Sequence, residues 1–149
     1  MDQGAVDLRV VLETARRTAE PEFAHRGARL ALGATPGPLE LDGDAAGLEQ
    51  LFLNLLINAA QSLSAGGVTR VDAERRNGTI EVTIADTGAG MSARQLAETQ
   101  QPFRSSKRDG TGLGLKIARR IVSSHRGELH VSSAVGQGTT VRVTLPARA

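Results

Sequence analysis

The chain has no cysteine among its 149 residues. Disulfide frameworks, thiolate zinc sites and cysteine nucleophiles are therefore excluded, and a reducing compartment fits. Tyrosine and tryptophan are absent too, and only three phenylalanines are present. The core must be built from Leu, Val, Ile and Ala. Binding that stacks successive bases on aromatic rings is largely excluded. Long apolar runs are also missing. The stretch from Leu51 to Ala60 is interrupted by Asn54 and Asn58 and is too short and polar to span a bilayer. Met1-Asp2-Gln3-Gly4 lacks the basic start and apolar run of a secretory signal. The expectation is a cytoplasmic domain that makes no membrane contact of its own.

Hydrophobic residues make up 40% of the chain and charged residues 23%. That balance supports a folded core, and the length predicts one domain over residues 1–149. The net charge is only +2, but the cations are unevenly placed. Arg104, Lys107, Arg108, Lys116, Arg119, Arg120 and Arg126 face a single acid, Asp109, within one segment. Such a stretch suits nucleotide phosphates, an acidic partner, nucleic acid or a solvated helix face. No DNA-reading motif accompanies it.

Spacing predicts a helix from Val6 to about Phe23, with Val6, Val10, Val11 and Ala15 as its apolar row. Pro21 leaves the end of that helix open. Ala28 to Ala34 and Leu39 to Asp42 read as strands around a Pro36-Gly37-Pro38 turn. Asp44 is a candidate N-cap for a long helix, Ala45 to Leu63, whose stripe is Leu48, Leu51, Phe52, Leu55 and Leu56. Val68 to Arg75 and Thr79 to Ala85 alternate as strands, and Asn77-Gly78 between them signals a hairpin. The segment Asp86 to Gly110 is irregular, with a short helix expected near Ser92 to Glu98. A helix from about Leu113 to Ser124 and strands at Glu128 to Ser133 and Thr139 to Leu145 complete the chain. This order predicts an α+β two-layer sandwich with a mixed, mostly antiparallel sheet and helices on one face.

Four constellations carry chemistry. Asn54 and Asn58 lie one turn apart on the long helix, in a polar row with Gln50 and Ser62. An amide oxygen can complete the shell of a Mg²⁺ ion otherwise held by phosphates and water. Asp86-Thr87-Gly88-Ala89-Gly90-Met91 follows a strand. Its carboxylate can accept from an exocyclic amine while bare backbone approaches a flat ring. The spacing of Gly88 and Gly90 also fits a dinucleotide fingerprint, but no strand with an acidic end follows at the required distance. Gly110-Thr111-Gly112-Leu113-Gly114-Leu115 opens a helix after the basic lead-in Ser105-Ser106-Lys107-Arg108. Converging N–H groups there form an anion cradle, although the P-loop ending is missing. Gly136-Gln137-Gly138-Thr139-Thr140 is by itself a hairpin turn.

Taken together, LEQLFLNLLINAAQSL, DTGAGM, PFRSSK, GTGLGLKIARRIVSSHRGEL and GQGTTVRVTLP resemble the N, G1, F, G2 and last glycine boxes of sensor histidine kinases. The resemblance covers about Leu39 to Pro146. It is to their ATP-binding catalytic domain, of the gyrase, heat-shock chaperone, histidine kinase and MutL superfamily. PFRSSK running directly into the glycine triad looks most like the nitrogen-regulation type. The resemblance implies the Bergerat fold, with ATP (or ADP) and Mg²⁺ as ligands. It implies Asn58 as the metal ligand and Asn54 as the polar residue a turn earlier. Asp86 would accept from the adenine amine, with Gly88, Gly90 and Met91 beside it. Phe103 would anchor a lid. Ser105, Ser106 and Lys107 would meet the terminal phosphates. Gly110, Thr111, Gly112, Leu113, Gly114 and Leu115 would supply backbone to them, and Thr139 would sit behind adenine.

Gln61 and Ser62 depart from the basic and aromatic residues common at these family positions, which leaves aliphatic packing around the ring. Asn54 and Lys107 are the candidate catalytic residues. Asn54 stands where ATP-hydrolysing relatives carry a glutamate, so slow hydrolysis is expected. His25, His125 and His130 match no phosphoacceptor motif and read as structural. The implied partners are a histidine-bearing dimerisation domain and, through it, a response regulator. A serine kinase of the anti-sigma-factor type and a nucleotide-sensing module without transfer are the alternatives.

Overall fold

The computed structural model describes residues 4–33, 37–98 and 111–148, with 111–114 as backbone only. Asp7 sets the first boundary. Gly4–Asp7 form strand β1, paired antiparallel with β3 (Glu40–Gly43) so that Val6 stands opposite Leu41. Asp7 then caps helix α1 (Leu8–His25), its Oδ1 accepting the Arg9 N–H at 3.0 Å. The sequence expectation of a helix from Val6 is corrected here. Leu8, Val11, Leu12, Ala15, Ala19 and Phe23 are buried, and Val10 is 64% exposed. The cap explains the difference: extended backbone at Asp7 makes Leu8 the first helical residue, and the apolar stripe takes its phase from there. The helix also continues through Pro21. An interior proline costs about 3 kcal/mol. Complete burial of Phe23 offsets roughly 1.5–3 kcal/mol of that.

Helix α2 (Ala45–Gln61) buries Leu48, Leu51, Phe52, Leu55, Leu56, Ala59 and Ala60, which extends the stripe read from spacing. Asp44 has the extended backbone of an N-cap, but its side chain makes no capping bond. Its N–H donates to His125 Nε2 at 3.0 Å. His125 Nδ1 lies 2.9 Å from the Ile121 carbonyl, so Nδ1 donates and Nε2 accepts. This buried ring joins the end of helix α4 (Thr111–Ser124) to the start of α2, a structural role as expected.

The main sheet has the order β2–β4–β5–β7–β6, with β2 (Arg29–Leu32), β4 (Val68–Arg76), β5 (Thr79–Asp86), β6 (Glu128–Ser133) and β7 (Thr139–Pro146). β2 runs parallel to β4, and every other pairing is antiparallel. Asn77, at φ 55°, turns β4 into β5 as its hairpin signal predicts. Val71, Ala73, Ile80, Val82, Ile84, Val141, Val143 and Leu145 point into the core. The alternate positions on β4 carry the ion pairs Arg70–Asp72 and Arg76–Glu74 on the opposite face. One packed face and one wet face give the expected two layers. Helices α1, α2 and α4 cover the packed face, and the short α3 (Ala93–Glu98) lies near β6. No helix among the described residues is long and apolar enough to cross a membrane.

The helical phase of α1 is directly testable by urea denaturation. Phe23→Ala is expected to lose about 3–5 kcal/mol. Val10→Ala, on the row that the sequence pattern favoured, is expected to change stability by no more than about 0.5 kcal/mol. The reverse order of effects would contradict the placement of both residues.

Candidate functional site

Asp86 ends β5 on its inward side. Alternation along the strand puts it on the same face as Ile80, Val82 and Ile84. Its Oδ1 accepts the Gly88 N–H at 2.8 Å and the Thr139 N–H at 3.2 Å. Burial raises the carboxyl above its ordinary value. Hydrogen bonds from the Gly88 and Thr139 backbone and from the Ser62 hydroxyl pull it back, but by less. A partly buried carboxylate shifted in this way, beside a cavity, is a recognised mark of a functional site.

The cavity beside Asp86 measures about 260 Å³. Ile84, Val131 and Val141 of the sheet form one wall, with Leu55, Asn58, Ala59, Gln61 and Ser62 of α2 and its C-terminus opposite. Leu115 of α4 and the Ala89-Gly90-Met91 loop complete the lining with Thr139. The cavity is an aliphatic slot with polar groups at particular places. That composition suits a flat heterocycle carrying hydrogen-bonding edges. Aliphatic packing takes the place of an aromatic partner, as the absence of Tyr and Trp requires.

Glycine is required around Asp86 by close approach. A Cβ on Gly88 would lie 2.3 Å from Ser62 Oγ, and one on Gly138 only 2.0 Å from the Asp86 carbonyl oxygen. A Cβ on Gly90 would lie 1.9 Å from the Ala134 carbonyl oxygen. The glycines read in the sequence as bare backbone for a ring thus also let the loop nest between α2 and the β6–β7 turn. The turn Gly136-Gln137-Gly138, structural when taken alone, proves to be the other half of this nest. The Gly136 N–H donates to the Ala89 carbonyl at 2.7 Å.

Ser133 was missed in the sequence. Its Oγ accepts the Met91 N–H at 2.7 Å and lies 2.8 Å from Thr139 Oγ1. Only the β6–β7 register, which sets Ser133 opposite Thr139, brings it to the site. Asn58 lines the cavity and has a polar partner. Asn54 is not among the lining residues, and its Nδ2 is buried with no hydrogen-bond partner among the described residues.

Helix α4 begins at Thr111, earlier than the expected Leu113, so Thr111, Gly112, Leu113 and Gly114 form its first turn. The first four N–H groups of a helix have no partner within it. Leu115 is buried and closes the slot. Phe103, Ser105, Ser106, Lys107 and Gly110 lie outside the described residues. Part of the basic stretch is engaged elsewhere: Arg119 donates to the Leu129 carbonyl at 3.2 Å, on strand β6. Among the described residues no group of three or more His, Cys, Asp or Glu side chains is placed to hold a metal.

Comparison with known proteins agrees with this geometry. Histidine protein kinase DivJ of Caulobacter vibrioides is 35% identical over 151 residues, which cover 98% of this chain and 25% of that protein. The chain therefore spans about a quarter of that relative's length. The structure of the mycobacterial sensor histidine kinase MprB superposes with a TM-score of 0.82 at 28% identity, covering 99% of both chains. Full-length ShkA in complex with AMPPNP matches with a TM-score of 0.85 at 27% identity, over 100% of this chain and 32% of that one. The family model described as histidine kinase-, DNA gyrase B- and HSP90-like ATPase matches residues 43–149, and the chain belongs to that family, homologous to its sensor histidine kinases.

Proposed function

We propose that this chain is one Mg–ATP-binding domain and that it transfers the γ-phosphoryl group to a histidine on a separate dimerisation domain in the cytoplasm. Asp86 is the observation that carries the reading. Its two backbone donors both bind Oδ1, which leaves Oδ2 clear of them. A carboxylate so held accepts the adenine 6-amino group and disfavours the oxo group that guanine presents there. The AMPPNP in the ShkA complex, an adenine nucleotide, supports the same ligand class.

The donor set fits a metal nucleotide. Asn58 offers a neutral amide oxygen within the slot, which suits a hard cation ligated mostly by phosphates and water. When bound, the cation would offset phosphate charge. The N–H groups of Thr111 to Gly114 receive the phosphate chain at the positive end of α4. Ser105, Ser106 and Lys107 are proposed to meet the terminal phosphate, and Phe103 to anchor the segment bearing them. In the transfer, an imidazole nitrogen of the acceptor bonds to the γ-phosphorus. The bond to the bridging oxygen breaks, ADP leaves, and the acceptor nitrogen sheds its proton. The chain supplies position and charge rather than a covalent intermediate. Asn54 provides no carboxylate to activate water, so hydrolysis stays slow. A response regulator is the proposed final acceptor.

Incubation with γ-labelled ATP and a histidine-hairpin domain tests the transfer. Acid-labile, base-stable phosphate on the hairpin is expected. Acid-stable phosphate would indicate a serine kinase, and binding without labelling would indicate a nucleotide sensor.

Titration calorimetry tests the base assignment. Asp86→Asn is expected to weaken ATP binding by roughly ten- to a hundred-fold, the equivalent of about 1.5–3 kcal/mol, and to remove most of the preference over GTP. A variant that keeps that preference would overturn the role of Asp86.

The pH dependence has a defined sign. The ionised carboxylate binds the amine, and burial raises its pKa in the free protein. ATP affinity is therefore full above that raised pKa. It falls as pH drops through it, at a higher pH than an ordinary aspartate would give. Comparison with Asp86→Asn across the same range cancels the titration of the nucleotide itself. Identical profiles for the two proteins would contradict the assignment.

A further inference from the structure

The sheet register places one more hydroxyl beside Asp86. Thr69 of β4 pairs directly with Asp86 of β5. At the neighbouring position the Thr87 N–H donates to the Val68 carbonyl at 3.0 Å, and the Val68 N–H to Thr87 Oγ1 at 3.0 Å. Ladder bonds alternate along an antiparallel pair, so Thr69 and Asp86 form the closer, non-hydrogen-bonded pair. Their Cβ atoms in such a pair lie about 4.5–5.5 Å apart on one face of the sheet. Thr69 shares its inward face with Val71 and Ala73, and Asp86 shares the same face with Ile84. Thr69 is wholly buried, and its Oγ1 has no hydrogen-bond partner among the described residues. A position between apolar neighbours, where valine would pack equally well, instead carries an unanswered donor next to the carboxylate of the site.

We propose that Thr69 is a positioning residue for Asp86: rotation about its Cα–Cβ bond turns the hydroxyl onto the ionised carboxylate, which fixes the oxygen that receives the purine amine. The role rests on the nucleotide reading of the slot. Threonine in a strand has more than one accessible rotamer, and the hydroxyl loses no existing bond by turning. The chemistry around the pair isolates the effect. Among the described residues, burial and hydrogen bonds from Gly88, Thr139 and Ser62 act on Asp86, and no charged side chain does. The α2 side chains that face it, Asn58, Gln61 and Ser62, are neutral, as is Thr139 of β7. The charged residues nearest on β4, Arg70 and Asp72, pair with each other on the opposite face of the sheet.

Four variants of the whole chain test the role: Thr69→Val, which is isosteric without the hydroxyl; Thr69→Ser, which keeps it; Asp86→Asn; and Thr69→Val combined with Asp86→Asn. The Asp86 carboxyl is followed by carbon NMR against pH, and ATP and GTP binding by calorimetry. Thr69→Val is expected to raise the Asp86 titration midpoint and weaken ATP binding about five- to ten-fold. Thr69→Ser is expected to restore both. In the Asp86→Asn background, Thr69→Val is expected to leave ATP binding unchanged. An unmoved midpoint, a serine variant that behaves like valine, or an equal loss with and without the carboxylate would each overturn the proposal. Wild-type protein that binds neither nucleotide would instead overturn the nucleotide reading itself, and the NMR titration would still decide whether Thr69 acts on Asp86.

Discussion

A single carboxylate held at the open end of a sheet organises this molecule. The proposed recognition role of Asp86 depends on backbone donors that approach it from two sides, the loop after β5 and the start of β7. The approach is steric as much as electrostatic. The loop after β5 lies so close to the end of α2 and to the β6–β7 turn that side chains at positions 88, 90 and 138 would collide with backbone or with Ser62. Each glycine lets one surface of the nest touch another. The described walls of the slot are thus set by packing of the core.

The scarcity of aromatic residues shapes the rest. The two described phenylalanines, Phe23 and Phe52, are spent wholly on the core. The walls of the slot are left to Leu55, Ile84, Leu115, Val131 and Val141. Aliphatic walls bind a flat ring by area, which distinguishes one purine from another poorly. Hydrogen bonding at one edge must then do the discriminating, because a site that leaves a buried polar group unpaired rejects the wrong ligand strongly. The low aromatic content and the importance of Asp86 are two sides of one constraint.

Much of this was legible in the sequence, for identifiable reasons. The stripe of α2 repeats at helical spacing without interruption, and Asn77-Gly78 can hardly be anything but a tight hairpin turn. The strands on either side alternate cleanly because one face is wet. Legibility failed where long-range pairing overrode local pattern. Val6 fits a helical row, but its pairing opposite Leu41 holds it in a strand and leaves Val10 in solvent. Pro21 leaves the helix end open in the sequence, and the helix runs on to His25 with Phe23 buried. Ser133 and Thr69 are unremarkable in one dimension. Both acquire meaning only from register, Ser133 opposite Thr139 and Thr69 opposite Asp86.

Register also bears on how the proposed site would treat the two ends of a nucleotide differently. The row Thr69, Asp86, Thr139 and Ser133 runs across four adjacent strands, each residue opposite the next. Hydrogen bonds along a sheet fix such a row to within fractions of an ångström, which recognition of a base edge demands. In the proposed reading the phosphate side falls to the first N–H groups of α4, whose field is directional but tolerant of small displacements. His125, at the far end of α4, ties that helix to the N–H of Asp44, the residue before α2. In the proposed reading, a rigid edge reader beside a tolerant anion cradle lets the phosphate chain shift while the base stays fixed.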